Sequence, residues 1–154
     1  MGRNLIFTEN EIDFLREMAR LKVRFMIVGL SAAALQGAPV VTQDVDLWFE
    51  NLEDPNLLKA LKKVGGILVP SIGLNPPMFA GDSVKLFDVV VHMHGLKSFK
   101  EEFSSAEVVK LGGASIHVLP LSRIIQSKAS LGRDKDKIVM KVLQDALKVR
   151  LKGR

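Results

Sequence analysis

The chain contains no cysteine, which excludes disulfides, thiol nucleophiles, cysteine-bound zinc and iron–sulfur clusters, and leaves nothing that calls for an oxidising compartment. It has no uncharged apolar run near the roughly 18–20 residues a membrane-spanning helix needs. Residues 1–10 show no apolar core of a secretory signal, so a cytoplasmic chain without a membrane partner is expected. No P-loop and no Gly-x-Gly-x-x-Gly fingerprint is present, and no Ser-His-Asp order or Cys-His arrangement suggests acyl transfer. Dinucleotide enzymes and hydrolases of those kinds are therefore poor readings.

What remains is an ordinary globular composition over 154 residues, 47% hydrophobic and 25% charged, enough for one domain and short for two. The net charge of +5 is unevenly spread. Residues 128–154 hold nine Lys/Arg against three Asp, whereas residues 1–127 are nearly balanced. Such an excess suits polyanions, although terminal basic helices are often no more than solvated faces.

Local patterns place the elements. Thr8 and Glu11 have capping-box spacing ahead of a helix with Ile12, Leu15, Met18 and Ala19 on one face. The run 24–28 reads as a buried strand closed by Gly29, followed by a small-residue helix over 31–36 that stops at Gly37. A strand over 44–49 comes next, then a helix with Asp54 as cap and Pro55 at its first position, ending at Gly65-Gly66. Residues 67–69 read as a short strand, 70–82 as a long loop with three prolines, and 83–92 as a strand. A hairpin is expected over 107–119 and two helices over 122–131 and 134–152. This irregular mixture predicts an α/β or α+β fold with a mixed sheet: a single domain with a core of about 23–119 and a C-terminal helical pair of about 121–152.

The chemistry sits in the acids. Asp44 and Asp46 are one residue apart, so on a strand both leave the same face, about 6.5–7 Å apart. Val45, Leu47 and Phe49 then pack into the core. Asp88 lies within Leu86-Phe87-Asp88-Val89-Val90-Val91, where a charge is disfavoured unless exposed, paired or metal-bound. If the two strands are neighbours, the three carboxylates converge and call for a cation, and hard oxygen ligands suit Mg²⁺ or Mn²⁺. Gly29, ending a strand and opening a helix, has the geometry in which free amides can face a phosphate.

Together the Val28-Gly29-Leu30-Ser31 turn, the short helix closing at Gly37, the segment Pro39-Val40-Val41-Thr42 and Asp44-Val45-Asp46 resemble the signature of the nucleotidyltransferase superfamily typified by DNA polymerase beta. The branch it looks most like includes small bacterial and archaeal proteins and nucleotidyltransferase-like toxins of abortive-infection systems. Asp88 stands where the family places its third carboxylate, and the segment from Leu119 to Lys128 with Arg133 to Asp136 is similar to a C-terminal helix whose Lys faces nucleotide phosphates. Two positions depart from the pattern: Leu30 replaces a Gly or Ser of the turn, and Val40 stands where Arg often follows Pro.

The resemblance implies a nucleotidyltransferase-like mixed sheet flanked by helices and a transfer of a nucleoside monophosphate from a nucleoside triphosphate to an unidentified acceptor. It implies Asp44, Asp46 and Asp88 as catalytic and metal residues, and Gly29, Ser31, Thr42, Lys128 and Arg133 as nucleotide-binding residues. The other reading is a non-catalytic module of the same fold that binds a protein or nucleic acid, for instance in a toxin–antitoxin pair. Leu30 and Val40 favour it.

Other residues carry weaker signals. His92 and His94 share strand parity with Asp88 and have the spacing of a zinc-type ligand pair, but the position of His94 before Gly95 favours a structural or solvent role. Trp48 shares the face of the acids and reads as a partly buried sheet aromatic. Lys141, Lys148, Arg150, Lys152 and Arg154 form a candidate nucleic-acid stripe, without the interleaved aromatics that stack on single strands.

Overall fold

The computed structural model describes residues 7–153. Arg154, counted in the basic stripe, and the expected signal-free stretch before Phe7 lie outside the described residues. In chain order the elements are α1 (Glu9–Arg20), β1 (Phe25–Val28), α2 (Gly29–Leu35), β2 (Val45–Phe49), α3 (Pro55–Lys63), β3 (Ile67–Val69), β4 (Met78–Ala80), β5 (Phe87–Val90), α4 (Phe99–Ser104), β6 (Glu107–Leu111), β7 (Ala114–Val118), α5 (Leu121–Leu131) and α6 (Asp134–Lys152).

Five strands form a mixed sheet in the order β5-β2-β1-β7-β6, and β3 and β4 make a separate two-stranded ribbon. β2 runs antiparallel to β1 and parallel to β5, and β1 runs parallel to β7. This is the mixed α/β architecture expected from the irregular element order. Among the described residues no helix is long and apolar enough to cross a membrane.

The helix ends follow local chemistry. The Thr8 hydroxyl accepts from the Glu11 amide at 3.3 Å while Glu11 Oε1 accepts from the Thr8 amide at 2.8 Å, so two orphan donors at the start of α1 are satisfied. The Asp54 carboxylate accepts from the Asn56 amide at 2.9 Å with Pro55 at the first position of α3. α1 buries Phe14, Leu15 and Met18 completely. Phe14 meets Phe79 and Phe87 with ring centres 5.7 and 5.5 Å apart, and Phe49 meets Phe79 at 5.7 Å. A fully buried side chain of this size contributes about 1.5–3 kcal/mol, so these rings hold α1, β4 and one face of the sheet together.

Several expectations need correction. The strand expected over 83–92 is confined to Phe87–Val90, because residues 83–86 form a turn in which the Phe87 amide donates to the Val84 carbonyl and Val84 turns inward. The long loop contains β4, which pairs with β3 through Ile67↔Ala80, Leu68↔Phe79 and Val69↔Met78. α4 was not foreseen: Ser98 caps it, its side chain accepting from the Glu101 amide. Trp48 is not partly exposed but buried, edge-on to Phe99 at 5.3 Å. The face of β2 that carries Asp46 is therefore covered except near the acid.

Candidate functional site

β2 and β5 are neighbours, and the parallel register sets Asp46 directly opposite Asp88. Neighbouring strands lie about 4.8 Å apart, and partners in register point to the same side, so the two acids leave the sheet side by side. Asp46 is half-buried and Asp88 is exposed, while Asp44 lies just before β2, also exposed. Among the described residues none of the ion pairs involves these three.

The electrostatics follow from that crowding. Asp46 is pushed up to about 6, first by burial and then by the charges of Asp88 and Asp44, with Lys128 partly offsetting them. Asp88 is raised by partial desolvation and by Asp44. Asp88 and Asp44 thus oppose the ionisation of Asp46, and Asp44 that of Asp88, and a cation between them would relieve the strain.

Gly29 explains how Asp46 fits. It opens α2 with φ of +67°, and a Cβ there would lie 2.6 Å from Asp46 Oδ2. Glycine takes the left-handed backbone without strain, and a Cβ there would push the carboxylate out of its position. Ser31 is buried; its hydroxyl donates to the Val28 carbonyl at 2.8 Å and accepts from the Asp46 amide at 3.3 Å. That hydroxyl bridges two backbone groups, so Ser31 positions the strand carrying Asp46. The Thr42 hydroxyl donates to the Asp44 carbonyl at 3.0 Å and shapes the approach to β2. Of the two departures from the family pattern, Val40 is buried in the core, and Leu30 packs against it.

Asp46 and Gly29 open into a cleft of about 160 Å³, also lined by Ser127 and Lys128 of α5, by Arg133 and by the segment His92 to His94. Lys128 is largely buried, its Nζ 3.4 Å from Asp136 Oδ1. Arg133 grips the same carboxylate through Nε at 2.6 Å and Nη2 at 3.0 Å. Asp136 is only 2% exposed and is held down to about 2, chiefly by the Arg133 hydrogen bonds. The sequence places it only at the end of the 133–136 segment of the resemblance, yet it fixes both cations of the cleft. A buried acid eight residues after a lysine has no distinctive local signal.

The donor set fits a hard divalent ion. Among the described residues no three carboxylate or imidazole side chains form a ready-made cage. Mg²⁺ commonly takes one or two carboxylates and completes its shell with water and substrate phosphates, and Asp46 and Asp88 supply that pair. Of the proposed nucleic-acid stripe, Lys141, Lys148 and Lys152 are exposed, but Arg150 turns inward to donate to the Gln36 carbonyl at 3.3 Å.

No protein-family model matches this sequence, and no curated protein sequence matches it. Solved structures do match. The antibiotic-resistance factor ANT(2'')-Ia, determined in solution, aligns with a TM-score of 0.58 at 12% identity, covering 88% of this chain and 80% of that one. An antigenic nucleotidyltransferase-like protein from Paracoccidioides brasiliensis aligns with a TM-score of 0.50 at 18% identity, covering 96% of this chain and 90% of that one. At such identities the likeness is one of architecture, and that architecture is the nucleotidyltransferase fold.

Proposed function

We propose that this nucleotidyltransferase-fold chain transfers a nucleoside monophosphate from a nucleoside triphosphate to a hydroxyl-bearing acceptor, with pyrophosphate leaving. The observation that carries this reading is the register pairing of Asp46 with Asp88, beside a cleft that also presents Lys128 and Arg133. Asp46 and Asp88 would hold Mg²⁺ or Mn²⁺, with Asp44, just ahead of the strand, adding negative charge or a further ligand once the ion is bound. When bound, the ion would polarise the reacting phosphoryl group and neutralise charge on the departing pyrophosphate.

The chain's own groups do the rest. The acceptor oxygen forms a bond to the α-phosphorus while the bond from that phosphorus to the bridging oxygen breaks. Asp88, exposed on its strand, takes the proton from the acceptor hydroxyl. Lys128 and Arg133, oriented by Asp136, offset the charge of the triphosphate. In-line displacement of this kind depends on positioning and electrostatics more than on covalent catalysis.

The test is label transfer from an α-labelled nucleoside triphosphate to RNA, protein and small hydroxyl compounds, preceded by a melting experiment with Mg²⁺ and the triphosphate. The wild type should be stabilised by the pair of ligands, and Asp46→Asn or Asp88→Asn should reduce transfer by about 10²–10³-fold or more. A wild type that neither binds nor transfers would refute the reading.

A second reading, a module that docks a protein, is favoured by α6, which leaves Ile138, Val149 and Leu151 exposed. Retained Asp46 and Asp88 without triphosphate binding would support that alternative.

A further inference from the structure

The reaction proposed above leaves two imidazoles of the cleft without a task. His92 and His94 follow the end of β5, are both exposed, and both line the cleft beside Asp46. Their ring centres are 5.1 Å apart and their planes are inclined by 80°. Two imidazoles on one tetrahedral ion, with nitrogen–metal distances of about 2.0–2.1 Å, place their ring centres about 5 Å apart. The observed separation, that of an edge-to-face ring pair, is also short enough for the two rings to share an ion.

The segment carrying them is fixed in place. The next residue, Gly95, approaches α5 so closely that a Cβ would lie 2.4 Å from the Ser130 Cβ and 3.4 Å from the Gln126 carbonyl oxygen. Its φ of +74° suits glycine alone. The pair is thereby anchored to a helix rather than carried on a free loop, which lowers the cost of holding both rings on one ion.

The surrounding charges also admit a cation. Asp46 of β2 and Asp88 of β5 contribute negative charge on the sheet side. Lys128 of α5 and Arg133 before α6 are positive, but both are paired with the buried Asp136 carboxylate. Imidazole donors select a different class of ion from carboxylates: zinc and similar transition ions over Mg²⁺.

We propose that His92 and His94 form a second cation site in this cleft, distinct in its ligands from the aspartates, that takes an imidazole-preferring divalent transition ion, with zinc as its representative. The two ring nitrogens supply half of a tetrahedral shell, and water or an oxygen of an anion in the cleft completes it. An ion there places a second positive centre in the cleft near Asp46, where it attracts anionic ligands. The site does not depend on nucleotidyl transfer.

The experiment is calorimetric titration of the metal-free full chain with Zn²⁺ in a large excess of Mg²⁺, which occupies carboxylates and leaves imidazoles free. Wild type, His92→Ala, His94→Ala and Asp46→Asn are compared, with circular dichroism confirming that the variants at these exposed positions fold. One zinc per chain is expected for the wild type. Each histidine variant should weaken binding by about 10–100-fold or more, since even the loss of a partner behind a ligand has that effect. Asp46→Asn should retain the ion. Absence of stoichiometric zinc binding in the wild type, equal affinity in the histidine variants, or loss confined to Asp46→Asn would each overturn the proposal.

Discussion

Replacing Gly29 by alanine tests whether the glycine serves the backbone, the carboxylate or both. Gly29 has φ of +67° and Gly73 has φ of +60°, but nothing lies within 4 Å of a Cβ at Gly73, whereas at Gly29 Asp46 Oδ2 lies at 2.6 Å. Left-handed backbone costs a non-glycine residue about 1–2 kcal/mol, so each variant should melt lower by about 2–8 °C. Asp46 Oδ2 is the far end of a side chain and can rotate away, so Gly29→Ala should lose little more stability than Gly73→Ala. The difference should appear in binding. Mg²⁺ with a nucleoside triphosphate at about a hundred times its dissociation constant stabilises by ~2.7 kcal/mol, or about 5–11 °C at this chain length. Differential scanning fluorimetry should show that shift in the wild type and in Gly73→Ala, and most of it missing in Gly29→Ala. A full ligand shift in Gly29→Ala would refute the argument that the glycine makes room for the site's carboxylate.

Other outcomes follow from the same contacts. Asp136→Asn should lower stability by about 1–3 kcal/mol, because Lys128 and Arg133 lose a charged partner, and should weaken triphosphate binding; equal binding in the variant would remove Asp136 as a positioning residue. Asp136, held by Arg133 and Lys128, and Glu17, held by Arg20 and Lys63, both lie at about 2 when folded, below the ~3.9–4.3 of free carboxylates. Their stabilisation is complete above about pH 4 and is lost as pH falls toward 2; melting temperatures recorded from pH 6 to 2 should drop in that window, and less steeply in Asp136→Asn. Phe14→Ala should cost about 3–5 kcal/mol by emptying the aromatic cluster beneath α1, and an unfolding free energy from denaturant titration within about 0.5 kcal/mol of wild type would contradict the packing described.

Elements specified by neighbours in sequence were readable. The Thr8–Glu11 box, the Asp54-Pro55 start and the 107–118 hairpin each depend on residues within a few positions, and each forms. β4 was hidden because its three residues gain strand geometry from pairing with β3 and from burial of Phe79, behind Pro76-Pro77. α4 did carry a signal, Ser98 three residues before Glu101, but six residues show little periodicity. At the site, strand parity grouped Asp44 with Asp46, whereas the alignment of Asp46 with Asp88 rests on a parallel pairing between distant segments. The occupation of Ser31 by backbone groups is equally long-range, since its acceptor role toward the Asp46 amide spans fifteen residues.

β5 is one of the two edge strands of its sheet, and an uncovered edge invites a foreign strand to add to it. A charge in the middle of so short a segment discourages such addition, because the incoming chain would have to desolvate a carboxylate. Asp88 is thus a guard of the sheet's rim as well as a candidate for chemistry. Its neutralisation should make the protein more prone to self-association even where no substrate is present.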